Sequence, residues 1–125
     1  LQAKPFSPVH TVDDLHRSMK FFEGLGFVVE DRWEEQGTLL GVMLRAGDAT
    51  IGLNEDDWKK GRDRQKGVGM RIFIATRKED VDRIASRARA AGVTLDSEPH
   101  DTDMNTRAFE VTEPSGFKIT IGSEM

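Results

Sequence analysis

The feature that most constrains the fold is a pattern of elements that occurs twice along the chain. Asp14 and Gly26 flank an amphipathic helix whose apolar residues follow the 3.6-residue period, and Asp80 and Gly92 flank a second one. The same number of positions, 12, separates each aspartate from its glycine. Strand-like segments precede and follow both helices. An internal duplication is the economical explanation, and it predicts two similar modules.

Strand-like segments complete a β-α-β-β-β order in each half. Runs rich in β-branched and aromatic residues are separated by short turns that contain glycine. We expect a single domain over residues 1–125, with modules at about 5–53 and 68–122. The charged residues 54–67 lack periodicity, which predicts a connector with room for one helical turn. The predicted strands are residues 6–12, 27–33, 38–44, 49–53, 68–76 and 93–95, followed by a loop and a final hairpin.

A β-hairpin over residues 107–121 closes the second half. Apolar residues stand at every second position of both arms, and Glu113-Pro114-Ser115-Gly116 supplies the turn between them. Side chains alternate across a strand, so one face of this hairpin packs into the core. The opposite face is open to solvent or to a ligand, and it carries Ala108, Glu110, Lys118 and Thr120.

Composition excludes several function classes. The 22 acidic residues outnumber the 18 basic ones and give a formal net charge of −4, which disfavours binding to nucleic acid. The chain has no cysteine, so disulfides and thiolate chemistry are excluded. No apolar run reaches the roughly 18 residues of a membrane helix, and the N-terminus lacks a signal-peptide pattern. We therefore expect a cytoplasmic protein without membrane or nucleic-acid partners.

Three stretches together resemble the vicinal oxygen chelate superfamily, which includes glyoxalase I, extradiol dioxygenases, and fosfomycin- and bleomycin-resistance proteins. These stretches are Val12–Phe27, Arg89–Val93 and Phe109–Phe117. The resemblance covers essentially the whole chain. It implies an α+β fold of two tandem βαβββ modules, whose curved mixed sheets form a cleft, and usually a homodimer.

The resemblance also bears on metal binding. In the family's metalloenzymes, His or Gln and Glu ligands occupy four cleft-facing positions, in the first and last strand of each module. Matching the strands puts Ser7 at a histidine position, and Gly52 and Thr120 at the two glutamate positions. The register of the fifth strand stays open, but residues 66–75 contain no His, Asp or Glu. A divalent ion needs several converging N or O donors. Because the matched positions lack such donors, we infer a member of the superfamily without a metal site or cofactor.

Aromatic and amide side chains are candidates for ligand contacts. Trp58 stands in the charged connector, near the expected mouth of the cleft. It either contacts a ligand there or is a hydrophobic plug that holds the connector onto the domain. Trp33 ends the second strand and lines the cleft, lies in a dimer interface, or simply packs. Asn54 follows the fourth strand, where its amide reaches a ligand or only stabilises a turn.

A second group of candidates lies on the fifth strand and the hairpin. If Met70, Ile72 and Ile74 face the helix, Arg71 and Phe73 face the cleft by alternation. Arg71 would then recognise a carboxylate or phosphate, or form an ion pair with Glu110. Glu110 is the one candidate catalytic residue, as an acid or base; the alternative is a solvated strand glutamate.

Three hypotheses for function follow. The first is a metal-free, dimeric protein that binds an antibiotic or metabolite in its cleft, as bleomycin-resistance proteins do. The second is an enzyme, either a lyase, isomerase or dioxygenase with an unusual metal site, or an acid–base catalyst that uses Glu110. The third is a structural or regulatory module whose cleft is filled by side chains. We favour the first because the ligand positions lack donors.

Overall fold

The computed structural model describes residues 1–124 and consists of two four-stranded mixed sheets and two α-helices. It confirms the predicted α+β fold of two tandem βαβββ modules. The first module comprises β1 (Val9–Val12), α1 (Leu15–Gly24), β2 (Val28–Glu35), β3 (Thr38–Ala46) and β4 (Ala49–Glu55). The second comprises β5 (Arg71–Thr76), a 3₁₀ turn (Lys78–Asp80), α2 (Val81–Ala90), β6 (Leu95–Asp101), β7 (Arg107–Thr112) and β8 (Lys118–Ser123).

Both sheets have the same topology. The strand orders are β1-β4-β3-β2 and β5-β8-β7-β6. In each sheet, the first strand of the module pairs parallel with the last, and the remaining pairs are antiparallel. The parallel pair requires a crossover, which the helix of the module provides. Strands β1 and β5 are consequently edge strands of their sheets.

Local sequence explains where the helices begin and end. The side chain of Asp14 accepts a hydrogen bond from the Arg17 amide at 3.2 Å and so caps α1. Gly26 and Gly92 follow the two helices with φ of 106° and 89°, a left-handed conformation that glycine adopts without strain. In the described part of the chain, neither helix is long and apolar enough to cross a membrane.

One hydrophobic core extends through both modules. It is formed by the inner faces of the two sheets and by the apolar sides of α1 and α2. Its largest fully buried side chains include Phe22, Leu15 and Leu44 from the first module, and Phe109 and Ile119 from the second. The hairpin residues therefore face the core as the period-two pattern predicts. The opposite face of each sheet does not contribute to this core.

Polar contacts also join the modules. The ring of His10 stacks on Phe117 with centroids 3.9 Å apart, and burial lowers the pKa of this histidine. Ser18 on α1 donates a hydrogen bond to Glu113 in the β7–β8 turn, and the Ser115 amide donates to the same carboxyl group at 2.5 Å. Glu113 is almost completely buried, and burial raises its pKa despite these hydrogen bonds. The sequence alone did not indicate either contact.

The connector is anchored by a buried lysine. Lys66 lies 2.8 Å from Asp56 and also contacts Asp13, which precedes α1. Hydrogen bonding from Lys66 holds the pKa of Asp56 below its usual range. The connector forms turns and contains no helical turn, although the sequence pattern had allowed for one.

Some predicted boundaries were wrong. Strand β5 begins at Arg71 instead of residue 68, because Gly67 and Gly69 adopt positive φ angles of 76° and 78°. Met70 precedes the strand and is half exposed, so it does not face the helix as expected. Strand β6 extends over residues that were predicted to form a loop. This strand contains Pro99 and lies at the edge of its sheet, where a missing N–H is tolerated.

Candidate functional site

The outer face of the second sheet carries a row of polar side chains, and we call it the second-sheet face. The strand register places Phe73, Thr120, Glu110 and Ser97 side by side across β5, β8, β7 and β6. Ile72 and Ile74 pack against the core, so Arg71 and Phe73 point outward, as alternation predicts. The structure thus brings four of the predicted site residues together: Arg71, Phe73, Glu110 and Thr120.

Arg71 and Glu110 form the ion pair that the sequence left as an alternative. Nη1 of Arg71 lies 3.1 Å from Oε2 of Glu110 and donates a hydrogen bond to Oγ1 of Thr120 at 3.0 Å. The hydroxyl of Ser97 donates to the other carboxylate oxygen of Glu110 at 3.2 Å. The two ionic side chains are 42% and 36% exposed, so the pair adds little stability and is accessible to a ligand.

The first sheet presents a more apolar outer face, which we call the first-sheet face. Ser7 contacts the hydroxyl of Thr50 at one end of it. In the middle, Gly52 lies between Val9 and Met43 in the register. Val9 is 55% exposed, although it stands in a strand. Val9 and Met43 were not among the residues that the sequence pattern indicated for this face.

Trp33 lies flat across the other end of the first-sheet face. Gly41 is its register partner on β3, and a Cβ at that glycine would overlap the indole ring. The contact explains why a glycine stands inside a strand, where it has no conformational role. Asn54 is the partner of Gly41 on the other side, so two further candidates from the sequence lie close to each other.

Trp58 has different neighbours. Its ring lies under the cationic groups of Arg62 and Lys66, 4.9 and 4.6 Å from the centroid, and both belong to the connector. Trp58 thus packs against other residues of the connector, and neither its role as a plug nor its role at the cleft mouth follows from these contacts.

Strand pairing resolves the register of the fifth strand, which the sequence left open. Val9 lies opposite Gly52 in the first sheet, and Phe73 lies opposite Thr120 in the second. Gly52 and Thr120 are the positions matched to the family's glutamates. Counting two residues back along each edge strand, Arg71 is therefore the counterpart of Ser7. The 3₁₀ turn before α2 accommodates the longer connection that had obscured this correspondence.

The residues at these four positions do not fit a divalent metal. Ser7, Gly52 and Thr120 are neutral and weak or lacking as donors, and Arg71 carries a positive charge that would repel a cation. Within residues 1–124, no three His, Cys, Asp or Glu side chains are grouped so that they could hold a metal ion. The donor set of these four positions is thus unlike the one that the resemblance attributes to the metalloenzymes.

Cavities lie on both faces. One of about 510 Å³ on the first-sheet face is lined by Ser7, Met43 and Thr50, among others. Another of about 510 Å³ adjoins Arg71 on the second-sheet face. A third, of about 720 Å³, follows the free edge of β5, with Phe6 and Phe73 in its lining. These volumes are in the range of small-molecule sites.

A comparison with family models identifies the fold independently of the geometry. The model of the Glyoxalase/Bleomycin resistance protein/Dioxygenase superfamily matches residues 8–121. The chain belongs to this superfamily. The match includes both modules and all eight strands except the last two residues of β8. A search of curated protein sequences gives no significant match.

Several solved structures have the same fold. A hypothetical protein from S. aureus superposes with a TM-score of 0.74 at 17% identity, with 98% of this chain and 95% of that chain covered. The fosfomycin resistance protein FosX from Listeria monocytogenes, complexed with Mn(II) and sulfate ion, gives 0.74 at 14% identity, with 100% and 95% covered. A glyoxalase/bleomycin resistance protein/dioxygenase family enzyme from Burkholderia phytofirmans PsJN gives 0.72 at 20% identity, with 95% and 98% covered. At these identities, the likeness extends to the glyoxalase-superfamily fold and not to the site.

Proposed function

We propose that this protein binds a small antibiotic or metabolite without a metal, in a cleft that a homodimer completes, and that it acts in the cytoplasm. The observation that carries the proposal is the set of residues at the four ligand positions of the fold. Ser7, Gly52, Arg71 and Thr120 cannot hold a divalent ion. The faces around them nevertheless combine apolar walls with a few oriented polar groups, as small-molecule sites do.

Contacts of Glu110 favour binding over acid–base catalysis. Arg71 and Ser97 between them engage both carboxylate oxygens. A general base needs an oxygen that is free to reach the substrate proton. Glu110 is better placed to hold Arg71 in one orientation than to move protons, so we rank the catalytic alternative second.

Exposed apolar side chains support a dimer. Val9 and Trp33 on the first-sheet face, and Phe73 on the second-sheet face, are 55%, 41% and 54% exposed. Contiguous apolar patches mark interaction or ligand-binding sites in soluble proteins, and a dimer that joins the two outer faces would bring these separate side chains together in one patch. A second copy that sets one outer face against the other would cover these side chains and leave a cleft between two sheets.

Three measurements on the purified protein test the proposal. Light scattering after gel filtration gives the mass, and we expect twice the monomer mass of 14.0 kDa. Elemental analysis after dialysis is expected to show no stoichiometric transition metal. Tryptophan fluorescence, with equilibrium dialysis as an independent method, screens a panel of neutral, cationic and anionic aromatic compounds for saturable binding.

Each measurement has an outcome that contradicts the proposal. Stoichiometric Ni, Zn, Fe or Mn that is lost on Glu110→Ala would establish a metalloenzyme and refute the metal-free site. A monomer at all concentrations would refute the dimeric cleft. Absence of saturable binding across the panel would favour a module whose cleft has no ligand.

A further inference from the structure

Arg71 introduces a positive charge at a position that resemblance assigns to a metal ligand. The correspondence rests on the strand register, which aligns Arg71 with Ser7 and Thr120 with Gly52. A metal ion in such a site supplies a fixed positive charge that attracts oxygen atoms of the substrate. A guanidinium at the same face supplies a fixed positive charge by other means, and it has no acceptor with which to bind a cation.

The guanidinium is oriented with one edge free. Nη1 is engaged by Glu110 and Thr120. Within residues 1–124, the structure shows no hydrogen bond from Nε or Nη2, the two nitrogens of the opposite edge. That edge matches the two oxygens of a carboxylate or phosphate. Since Glu110 restricts the rotation of Arg71, less side-chain entropy is lost when an anion binds.

A basic cavity adjoins Arg71. In the part of the chain that the structure describes, no acidic side chain lines it, while its volume of about 510 Å³ accommodates a small molecule. Three glycines around it, each with positive φ, carry no side chain that would close the entrance. The lining residues are Lys66, Gly67, Val68, Gly69, Met70, Arg71, Gly116 and Lys118.

Of the two lysines in this lining, only Lys118 is available to a ligand. Lys66 is buried and engaged by Asp13 and Asp56. Lys118 is the register partner of Arg71 on β8, so both side chains point to the same face. Its ammonium contacts a hydroxyl, that of Thr112 at 3.3 Å, and forms no ion pair with any of the described residues.

We propose that the cleft takes a ligand with an oxyanionic group, a carboxylate or a phosphate, bound by the free edge of Arg71 with Lys118 as the second cation. This inference rests on the proposed function and names the ligand class of the same site. The exposed ring of Phe73, two residues along β5, provides an apolar surface for the rest of the ligand. Glu110 acts as a positioning residue for Arg71.

The test uses three probes of similar size: phenyl phosphate, benzoate and the neutral amide benzamide. Titrations followed by the amide signals in NMR spectra give the affinities of the intact protein. We expect the two anions to bind, with shifts at residues 67–71 and 116–120, and benzamide to bind at least about tenfold more weakly. Raising the salt concentration should weaken the binding of the two anions and leave the binding of benzamide unchanged.

Variants identify the groups responsible. Arg71→Met is expected to lower the affinity for phenyl phosphate at least about tenfold, the change that loss of a charge-assisted hydrogen bond produces. Arg71→Lys should give an intermediate loss, because it keeps the charge and lacks the fork. Lys118→Met is an independent second variant, in case Arg71→Met disturbs Glu110. Arg89→Met is the matched control: Arg89 is 45% exposed and paired with Glu98, but it lies on α2.

The outcomes separate this inference from the proposed function. Equal affinity for benzamide and the anions, or unchanged affinity in both Arg71→Met and Lys118→Met, overturns the anion site. If neutral or cationic compounds of the wider panel bind and the three probes do not, the anion site also fails while the proposed function stands. If no compound in either set binds, both fail.

Discussion

Replacing Gly41 by alanine tests whether the first-sheet face is organised by the contact between Gly41 and Trp33. A Cβ at position 41 would overlap the indole, so Trp33 has to leave its place on the sheet. Trp33 is 41% exposed, which means that it buries roughly 150 Å² of the roughly 250 Å² of a tryptophan side chain. At about 25 cal/mol per Å², complete loss of this contact costs about 4 kcal/mol.

The expected cost is smaller than that limit. The displaced indole recovers part of its contact area in another rotamer, and alanine in a strand gains about 0.5–1 kcal/mol over glycine. We therefore expect Gly41→Ala to lower the free energy of unfolding by about 2 kcal/mol, measured by urea titration with circular dichroism. Gly52→Ala is the matched control on the neighbouring strand. The Cβ that it adds would lie 3.1 Å from a methyl group of Val9, which needs only a small shift to make space.

A double-mutant cycle with Trp33→Ala isolates the cause. If overlap with the indole destabilises the variant, Gly41→Ala should be neutral or slightly stabilising once Trp33 is absent, with a coupling energy of about 2 kcal/mol. In a Trp58→Phe background, Trp33 is the only remaining tryptophan, and its emission should shift to the red in Gly41→Ala. A coupling energy below about 0.5 kcal/mol would refute the reasoning, even if Gly41→Ala were destabilising.

Three further predictions concern buried polar groups. Protonated Glu113 contributes stability that is complete below pH 4.5 and is lost as the pH rises through its raised pKa. The free energy of unfolding of Glu113→Gln should therefore rise relative to that of the wild type as the pH increases from 4 to 8. A difference between the two that does not change with pH would contradict this. His10→Phe removes two buried nitrogens that lack a partner among residues 1–124 and should stabilise the protein by about 1–2 kcal/mol at pH 7. Because the pKa of His10 is lowered, this gain should grow as the pH falls below 6.5, and urea titrations at pH 5 and 8 would show whether it does. Lys66→Met leaves Asp56 without its closest cation and should lower the urea midpoint and speed proteolysis of residues 54–67, whereas the exposed Lys60→Met should change neither.

The sequence predicted which residues share a face more reliably than it predicted which residues meet. Period-two alternation placed Arg71, Glu110 and Thr120 on one outer face, and the structure brings them within hydrogen-bonding distance. Alternation is a local property and needs no knowledge of the partner strand. The ion pair of Arg71 with Glu110 was one of the two alternatives that the same argument left open, because alternation assigned both residues to this face.

Contacts that depend on the register between strands could not be predicted from the sequence. The overlap between Trp33 and Gly41 requires that β2 and β3 pair with one offset, and two register irregularities in β2 make that offset hard to infer. Likewise, Arg71 could be aligned with Ser7 only after the pairings of β1 and β5 were known. The predicted start of β5 was wrong because Val68 and Met70 are typical strand residues, whereas Gly67 and Gly69 adopt positive φ angles that a strand does not accommodate.

Separate positions on the same strands encode the fold and the chemistry of the cleft. The residues that alternate inward, such as Phe109, Val111 and Ile119, build the core. The residues that alternate outward contribute little to this core, so a ligand position can change without loss of the fold. Arg71 illustrates the consequence: a guanidinium on β5 leaves the packing of Ile72 intact, yet it places a positive charge at a position where the resemblance expects a metal ligand. Membership of the superfamily thus accounts for the fold, while the charge of each outer face follows from a few outward-facing side chains.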